Sequence, residues 1–287
     1  MAGGVFESMM SPGLKQSYAY CRRVARRRAK NFYYAFRLLD RQRHDALCAL
    51  YAFMRRCDDA SDEAGAAGEG RRAIEQWRGE LAGALWGDCG GHPVWPAFAD
   101  TVRRHGIPHA YFFEMIEGVA SDLEPRRVET FEELYRYCYR VASVVGLSVV
   151  HVLGFESQEA LPLAEKCGVA FQLTNILRDL KEDWERGRVY VPHEDLRRFG
   201  VRPWEATPAF LELLRFEAAR ARGYYEAARP LLELVAPSGR GALWALIEIY
   251  RRLLERVEQA GYGVLERRVE LPAWEKWWVA AKGARRG

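Results

Sequence analysis

The chain has 287 residues, of which 49% are hydrophobic and 29% charged, a globular composition with ample apolar material for a core. The formal net charge of +4 at pH 7 is modest, and with no nucleic-acid motif it argues against a DNA- or RNA-binding protein. Six cysteines form no C-x-x-C pair, which favours a reducing compartment. No signal-peptide pattern is apparent, and the longest nearly uncharged run, Val141 to Phe155, is too short to span a bilayer. We therefore expect a cytoplasmic protein.

Hydrophobic residues recur at helical spacing along most of the chain. A first helix from Leu14 is followed by a break near residues 31–40 and a second helix that runs to the acidic residues near position 60. Further helices are predicted over residues 71–86, 131–155, 158–185, 207–235, 241–259 and 271–282. The segment "GRVYVP" (residues 187–192) resembles a strand but is too short and isolated to build a sheet.

No repeat or linker divides this succession of helices. We therefore predict an all-α fold with a single domain over residues 1–287, its core at about 14–265 and a C-terminal helix at 271–284. The expected architecture is a helical bundle around a central cavity.

The second helix carries two acidic residues in the segment "LYAFMRRCDDASDE". Asp58 and Asp62 are four residues apart, which places them about 40° apart on one helix face. Like charges at this spacing destabilise an isolated helix, and a hard dication that prefers carboxylate oxygens would offset the repulsion. Taken alone, this segment slightly favours a frayed acidic helix end that runs into the following loop.

A second polar stripe lies in "AFQLTNILRDLKEDWERGRVY". Gln172, Asn175, Asp179 and Asp183 fall on one face of the predicted helix, whereas the opposite faces are apolar. Such a stripe faces water or lines a wet cavity. Two acidic stripes in an all-helical chain suggest a facing pair that holds Mg²⁺ over a diphosphate.

Arginines accompany both stripes. Arg55 precedes the first, and Arg178 and Arg188 lie in and after the second. Guanidinium groups bind phosphate bidentately, although an ordinary ion pair with a neighbouring aspartate explains each one equally well.

On these motifs the chain resembles the squalene/phytoene synthase family, which condenses two prenyl diphosphates head to head. "NFYYAFRLL" (residues 31–39), "CDDASD" (57–62), "YCYRVASVVG" (137–146) and above all "FQLTNILRDLKEDWERGRVYVP" (171–192) carry the resemblance, which spans roughly residues 18–262. Ser143 departs from the glycine of many members, and Ala29 and Asn31 replace serines of some relatives; these departures leave the metal ligands intact.

The resemblance implies an isoprenoid synthase bundle and assigns roles to individual residues. Magnesium ligands would be Asp58, Asp62, Asn175, Asp179 and Asp183. The four aspartates would be catalytic, and Tyr51, Tyr137 or the released diphosphate itself would assist proton removal. Substrate would be bound by Phe32, Tyr34, Arg55, Val141, Ala142, Gln172, Asn175, Arg178, Arg188 and Tyr190.

The implied reaction ionises one prenyl diphosphate, traps the cation with a second molecule and closes a cyclopropane. Farnesyl diphosphate is the favoured substrate, with presqualene diphosphate as intermediate or product on the way to squalene-type compounds; phytoene formation from geranylgeranyl diphosphate is the alternative. The cofactor is Mg²⁺, with Mn²⁺ as a substitute. NADPH is required only if the product is squalene, and no dinucleotide fingerprint is present.

Two other functions stay open. A terpene cyclase would share the aspartate spacing but would convert one substrate molecule, and a non-catalytic helical binding protein would keep the fold without the chemistry. The C-terminal segment, rich in tryptophan and lysine, either docks on the bundle or rests as a peripheral helix on a membrane surface. The oligomeric state is left open.

Overall fold

The computed structural model describes residues 10–62, 67–124, 126–202 and 205–286, except for the side chains of residues 60–67. Within these ranges the chain forms α-helices and two short irregular helices. The first half contains α1 (Pro12–Arg28), α2 (Phe32–Phe36), α3 (Arg41–Asp62), α4 (Ala67–Leu85), α5 (Trp95–His105), α6 (Ala110–Ala120), α7 (Phe131–Cys138), a π-helix (Tyr139–Ser143) and α8 (Val144–Leu153). The second half contains α9 (Ala160–Arg178), α10 (Leu180–Glu185), α11 (His193–Phe199), α12 (Pro208–Ala228), α13 (Leu231–Leu234), α14 (Pro237–Ala260), a 3₁₀-helix (Gly261–Leu265) and α15 (Ala273–Gly283).

The all-α prediction is confirmed. The strand-like segment at residues 187–192 contributes one isolated bridge, between Val189 and Arg127, and the described residues contain no β-strand. Side-chain caps mark the starts of two long helices. Ser11 accepts a hydrogen bond from the Leu14 amide at the start of α1, and Thr207 accepts one from the Phe210 amide at the start of α12. Each cap satisfies an amide that the first helical turn leaves without a partner.

Two of the predicted helices are interrupted. The helix predicted over residues 131–155 is divided by the π-helix Tyr139–Ser143, within the "YCYRVASVVG" motif. The helix predicted over residues 158–185 ends at Arg178, because Asp179 adopts φ −104° and ψ 14° before α10 begins. Both interruptions fall in segments assigned to the site, where π-bulges and local breaks in helices often occur.

The π-helix is packed closely between two neighbouring helices. A Cβ atom on Gly118 of α6 would lie 2.7 Å from Val141 Cγ1, and one on Gly168 of α9 would lie 2.5 Å from Ser143 Cα. Both distances are shorter than real Cβ contacts. The two glycines therefore allow α6 and α9 to approach the π-helix, and Ser143 anchors it by donating a hydrogen bond to the Glu165 carbonyl at 2.8 Å.

The buried side chains form two clusters. One is centred on α3, α5 and α6, where Phe53 stacks on Phe98 with ring centroids 4.4 Å apart; the other lies among α9, α12 and α14. Partly buried residues such as Phe32 and Phe171 pack against both clusters. All six cysteines are free. No helix in the described ranges has the length and apolar character that crossing a membrane requires.

Candidate active site

A cavity of about 300 Å³ lies where the two clusters meet. Its apolar wall is formed by side chains of α2, α3, α6, the π-helix, α8 and α14, and its polar wall by side chains of α3 and α9 and by Asp122. The lining comprises Phe32, Phe36, Leu47, Leu50, Tyr51, Met54, Arg55, Asp58, Met115, Val119, Asp122, Tyr137, Val141, Val145, Val149, Gln172, Asn175, Arg178, Asp179 and Tyr250.

The cavity adjoins a further space of about 110 Å³, which we call the apolar lobe. The two share Phe32, Val141, Asn175 and Tyr250 among their lining residues. Beyond these the lobe is lined almost entirely by hydrophobic side chains and glycines, among them Ala142 and Leu243. The two adjoining spaces therefore offer charged groups on one wall and an apolar extension.

Helix α3 presents Tyr51, Arg55 and Asp58 to the cavity, because positions i, i+4 and i+7 lie on one helix face. Arg55 forms an ion pair with Asp59, one turn further on. Asp62 ends α3, but its side chain lies outside the described residues. The structure therefore places Asp58 in the cavity, and the role of Asp62 beside it stays a prediction.

Helix α9 contributes Gln172, Asn175 and Arg178, and Asp179 follows at its end. The Asn175 side-chain amide donates to Gln172 Oε1 at 3.3 Å, while no donor from the described residues reaches its buried Oδ1 atom. Buried polar atoms are rarely left without a partner. A carbonyl oxygen in this situation, next to a cavity, is therefore available to a ligand.

Asp179 lies between two guanidinium groups. Arg178 Nε donates to its Oδ1 at 2.7 Å, and Arg268 Nε lies 3.0 Å from the same oxygen. Arg268 follows the 3₁₀-helix, far away in the sequence, and belongs to none of the motifs that predict the site. The two arginines place cationic charge beside the cavity, as a diphosphate site requires.

Asp183 does not line the cavity that Asp58 and Asp179 share. Because the backbone turns at Asp179, Asp183 lies in a small neighbouring pocket with Arg188 and Tyr190. Burial and the nearby Asp179 carboxylate raise the pKa of Asp183 to about 7. The i,i+8 stripe predicted for Asn175, Asp179 and Asp183 is therefore only partly formed, and Asp183 lies outside the cavity that Asn175 and Asp179 line.

Asp122 is a site residue that the sequence analysis missed. It follows α6, lines the cavity and accepts hydrogen bonds from the hydroxyls of Tyr137, at 2.8 Å, and Tyr190, at 2.7 Å. The two tyrosine rings stack with centroids 4.8 Å apart, and Arg188 donates to the Asp122 carbonyl at 2.7 Å. Burial raises the pKa of the Asp122 carboxyl, although both tyrosine hydrogen bonds lower it.

Two further tyrosines are not placed as the sequence predicts: Tyr34 lies outside the site, and Tyr250 lies in it without having been predicted. Tyr34 is absent from the lining of the cavity and the apolar lobe; its ring contacts Trp277 of α15 edge-to-face, with centroids 5.2 Å apart. Tyr250 of α14, missed in the sequence, lines both spaces, and its ring stacks on Phe171 at 4.1 Å. Its helix carries no aspartate motif, so only three-dimensional packing identifies it.

The polar wall has the donor atoms that Mg²⁺ prefers, since this ion binds oxygen and usually combines one or two carboxylates with water and substrate phosphates. Asp58 and Asp179 supply carboxylates, and Asn175 supplies a carbonyl oxygen that no donor in the described part of the chain reaches. Among the described side chains no three acids, histidines or cysteines converge as a closed metal site. The residues therefore fit an ion that is shared with a bound diphosphate better than one held by the protein alone.

Comparison with known proteins identifies the family. The family model for squalene/phytoene synthase matches residues 25–275. The 15-cis-phytoene synthase of Synechococcus elongatus is 35% identical, over 92% of this chain and 91% of its own length. The phytoene synthase of Mycobacterium tuberculosis is 34% identical, over 93% and 90% respectively.

Solved structures give the same result. A dehydrosqualene synthase in complex with a ligand superposes with a TM-score of 0.87 and 30% identity, over 95% of this chain and 96% of its own. Squalene synthase HpnC from Alicyclobacillus acidocaldarius superposes with a TM-score of 0.80 and 28% identity, over 88% and 97%.

The fold and the site define an isoprenoid synthase helical bundle. The chain belongs to the squalene/phytoene synthase family and is a prenyltransferase.

Proposed function

We propose that this protein joins two prenyl diphosphates head to head, with Mg²⁺ as cofactor. The observation that supports this proposal is that the cavity, with a wall bearing Asp58, Arg178 and Asp179, adjoins the apolar lobe. A prenyl diphosphate has the matching polarity, with a charged head and a hydrocarbon tail.

The charged residues divide into two roles. Asp58, Asn175 and Asp179 would hold the ion, which when bound neutralises charge on the departing diphosphate. Arg55 and Arg178 bind the diphosphate oxygens directly, since both line the cavity and guanidinium groups suit phosphate geometry. The apolar wall excludes water from the allylic cation, and the rings of Phe32 and Tyr250 present π-faces that stabilise positive charge.

Tyr137 and Asp122 form the candidate group for proton removal. Burial raises the pKa of the Tyr137 phenol, so the phenol acts in its neutral form. It can accept a proton from the cation as it passes its own to Asp122, to which it is already hydrogen-bonded at 2.8 Å. Tyr51, whose pKa is also raised by burial, lines the same cavity and serves as an aromatic wall.

Geranylgeranyl diphosphate is the substrate that we propose, with phytoene as the product. The curated relatives above are named phytoene synthases, which supports this alternative over the preference for farnesyl diphosphate drawn from the sequence. The superposed structures, named dehydrosqualene and squalene synthase, keep farnesyl diphosphate as the second candidate. NADPH has no role in the proposed reaction.

A substrate competition tests the proposal. The purified chain is incubated with equal concentrations of farnesyl and geranylgeranyl diphosphate and Mg²⁺, and the products are extracted and analysed by mass. We expect a C40 hydrocarbon that also forms without NADPH. A C30 product would reverse the choice of substrate, and a cyclised C20 hydrocarbon would instead identify a terpene cyclase.

We also propose that the protein works at the surface of a membrane on its cytoplasmic side, where its tryptophan-bearing helix α15 lies at the lipid interface. Trp274, Trp277 and Trp278 are 67%, 49% and 42% exposed, and their i, i+3 and i+4 spacing places them on one face. Arg37 lies over the Trp277 ring at 4.6 Å and Lys282 over the Trp278 ring at 3.5 Å. Exposed tryptophans with flanking cations are typical of helices that bind anionic lipid.

Sedimentation with vesicles that contain anionic lipid tests this contact. Replacing Trp274, Trp277 and Trp278 together with serine should abolish co-sedimentation. The matched control is Trp86→Ser, because Trp86 is 88% exposed and follows α4, at a distance in the chain. Equal sedimentation of the triple variant and the control would refute the membrane contact without affecting the proposed reaction.

A further inference from the structure

A second cavity, of about 310 Å³, lies behind the helices that enclose the apolar lobe. Its walls come from α9, α12 and α14 and from the residues around α13, with Arg286 near the C-terminus. Leu232, Trp244 and Ile247 give it an apolar side, and Arg229 and Arg251 line its polar side. Among the described residues, it has one lining residue in common with the apolar lobe.

That shared residue is Cys167 of α9. Elsewhere the wall between the two spaces consists of neighbouring residues that face opposite ways. Leu231 lines the apolar lobe and Leu232 the second cavity, and on α14 Leu243 lines the lobe while Trp244 lines the second cavity. At Cys167 the partition is therefore one residue thick.

The aromatic groups beside Cys167 are held in place. Phe171, one turn further along α9, lines the lobe and stacks on Tyr250 with ring planes 2° apart. Tyr225, behind it, lines the second cavity and shares a hydrogen bond of 2.8 Å with Thr174 Oγ1. Cys167 is buried and free. In this part of the wall its small side chain can therefore be replaced by a smaller or larger one while the aromatic contacts are kept.

We propose that Cys167 is a chain-length determinant, the side chain at which the apolar lobe ends and whose size sets the longest prenyl tail accepted. This inference rests on the proposed function. A tail that fills the lobe meets Cys167, and an additional isoprene unit would overpack the wall, which is destabilising in a tightly packed interior. Removing the thiol would join the lobe to the second cavity and admit the longer tail.

Two substitutions in opposite directions test the proposal. Cys167→Ala shortens the side chain, whereas Cys167→Leu extends it into the lobe. The matched control is Cys138→Ala, since Cys138 is also a buried free cysteine and lines neither space. Each variant is assayed with C15, C20 and C25 prenyl diphosphates in pairwise competition, and thermal melting confirms that it folds.

We expect Cys167→Ala to raise the turnover of C25 relative to C20 substrate about tenfold, and Cys167→Leu to raise that of C15 relative to C20 by a similar factor, because small changes in an apolar pocket discriminate on this scale. The control should keep the wild-type ratios. Ratios within about twofold of wild type in a folded Cys167→Ala variant would overturn the proposal; this arm decides if the leucine variant does not fold.

The substrate assay distinguishes an error in the role of Cys167 from an error in the proposed function. If the wild-type chain converts none of the three substrates, the proposed function is wrong. If the wild-type chain is active and the Cys167 variants keep its substrate ratios, only the role of Cys167 is refuted.

Discussion

Asp122 connects two tyrosines from distant parts of the chain, and its replacement by alanine tests how the polar wall is held together. Its Oδ2 accepts a hydrogen bond from Tyr137 at 2.8 Å and its Oδ1 accepts one from Tyr190 at 2.7 Å. The Tyr137 hydroxyl also lies 3.1 Å from that of Tyr190. In an Asp122→Ala variant the two phenols can therefore still form one hydrogen bond with each other.

The structure gives the size of the effect. A hydrogen bond to a charged group contributes about 1.5–3 kcal/mol, so losing two would cost about 3–6 kcal/mol. A tyrosine hydroxyl released from Asp122 can donate to the other tyrosine instead, which offsets about 1 kcal/mol, and removing a buried carboxylate recovers part of its desolvation cost. We expect a net loss of about 2 kcal/mol for Asp122→Ala. Asp122→Asn keeps one acceptor, so its loss should be about half as large.

Chemical denaturation in metal-free buffer measures this loss, read as a change in midpoint at an unchanged slope. Burial raises the pKa of Asp122, so the folded wild-type protein retains this proton more strongly than the unfolded chain. The free energy of unfolding of the wild type therefore falls as the pH rises above the ordinary pKa of aspartate. The difference in free energy of unfolding between the wild type and Asp122→Ala should accordingly narrow. A deficit below about 0.5 kcal/mol, or one that widens with pH, would refute this reasoning.

Three further predictions concern other parts of the molecule. Gly168→Ala should cost about 2 kcal/mol, read as a lower denaturation midpoint, because its Cβ would lie 2.5 Å from Ser143 Cα; an unchanged midpoint would contradict the close packing. In Tyr137→Phe we expect a reduced kcat at a nearly unchanged KM for the prenyl diphosphate, and an unchanged kcat would remove Tyr137 from proton transfer. Burial alone would raise the pKa of Asp45, but the hydrogen bond with His44 and the charge of Arg22 lower it overall. The Asp45 carboxylate therefore stabilises the folded protein at neutral pH, and this stabilisation is lost on acidification. The stability deficit of Asp45→Asn should accordingly be about 3 kcal/mol at pH 7 and shrink below about pH 4, and a deficit independent of pH would refute the assignment.

Much of the fold follows from the sequence, because apolar periodicity identifies amphipathic helices wherever they are long. The interruptions could not be found in this way. The π-helix at residues 139–143 depends on close approach by Gly118 and Gly168, which are contacts between helices rather than properties of the segment. The break at Asp179 likewise leaves no mark in the spacing of Asn175, Asp179 and Asp183.

The site residues likewise fall into those that the sequence predicts and those that depend on how the helices pack. Asp58 and Asp179 belong to local motifs and were predicted, and both line the cavity. Asp122 and Arg268 were missed because each acts through a partner far away in the sequence, such as Tyr190, 68 positions after Asp122, and Asp179, 89 positions before Arg268. A single sequence contains no signal for such pairings, which depend on how the helices pack.

The central claim is that Asp58 and Asp179 support Mg²⁺-dependent joining of two prenyl chains in one cavity. The most direct measurement is the stoichiometry of diphosphate release with geranylgeranyl diphosphate, in wild type and in the Asp58→Ala and Asp179→Ala variants, with Mg²⁺ or with EDTA. We predict two diphosphates per hydrocarbon molecule in the wild type with Mg²⁺, and no release with EDTA or from either variant. Release that is unchanged in the variants, or one diphosphate per C20 product, would contradict the claim.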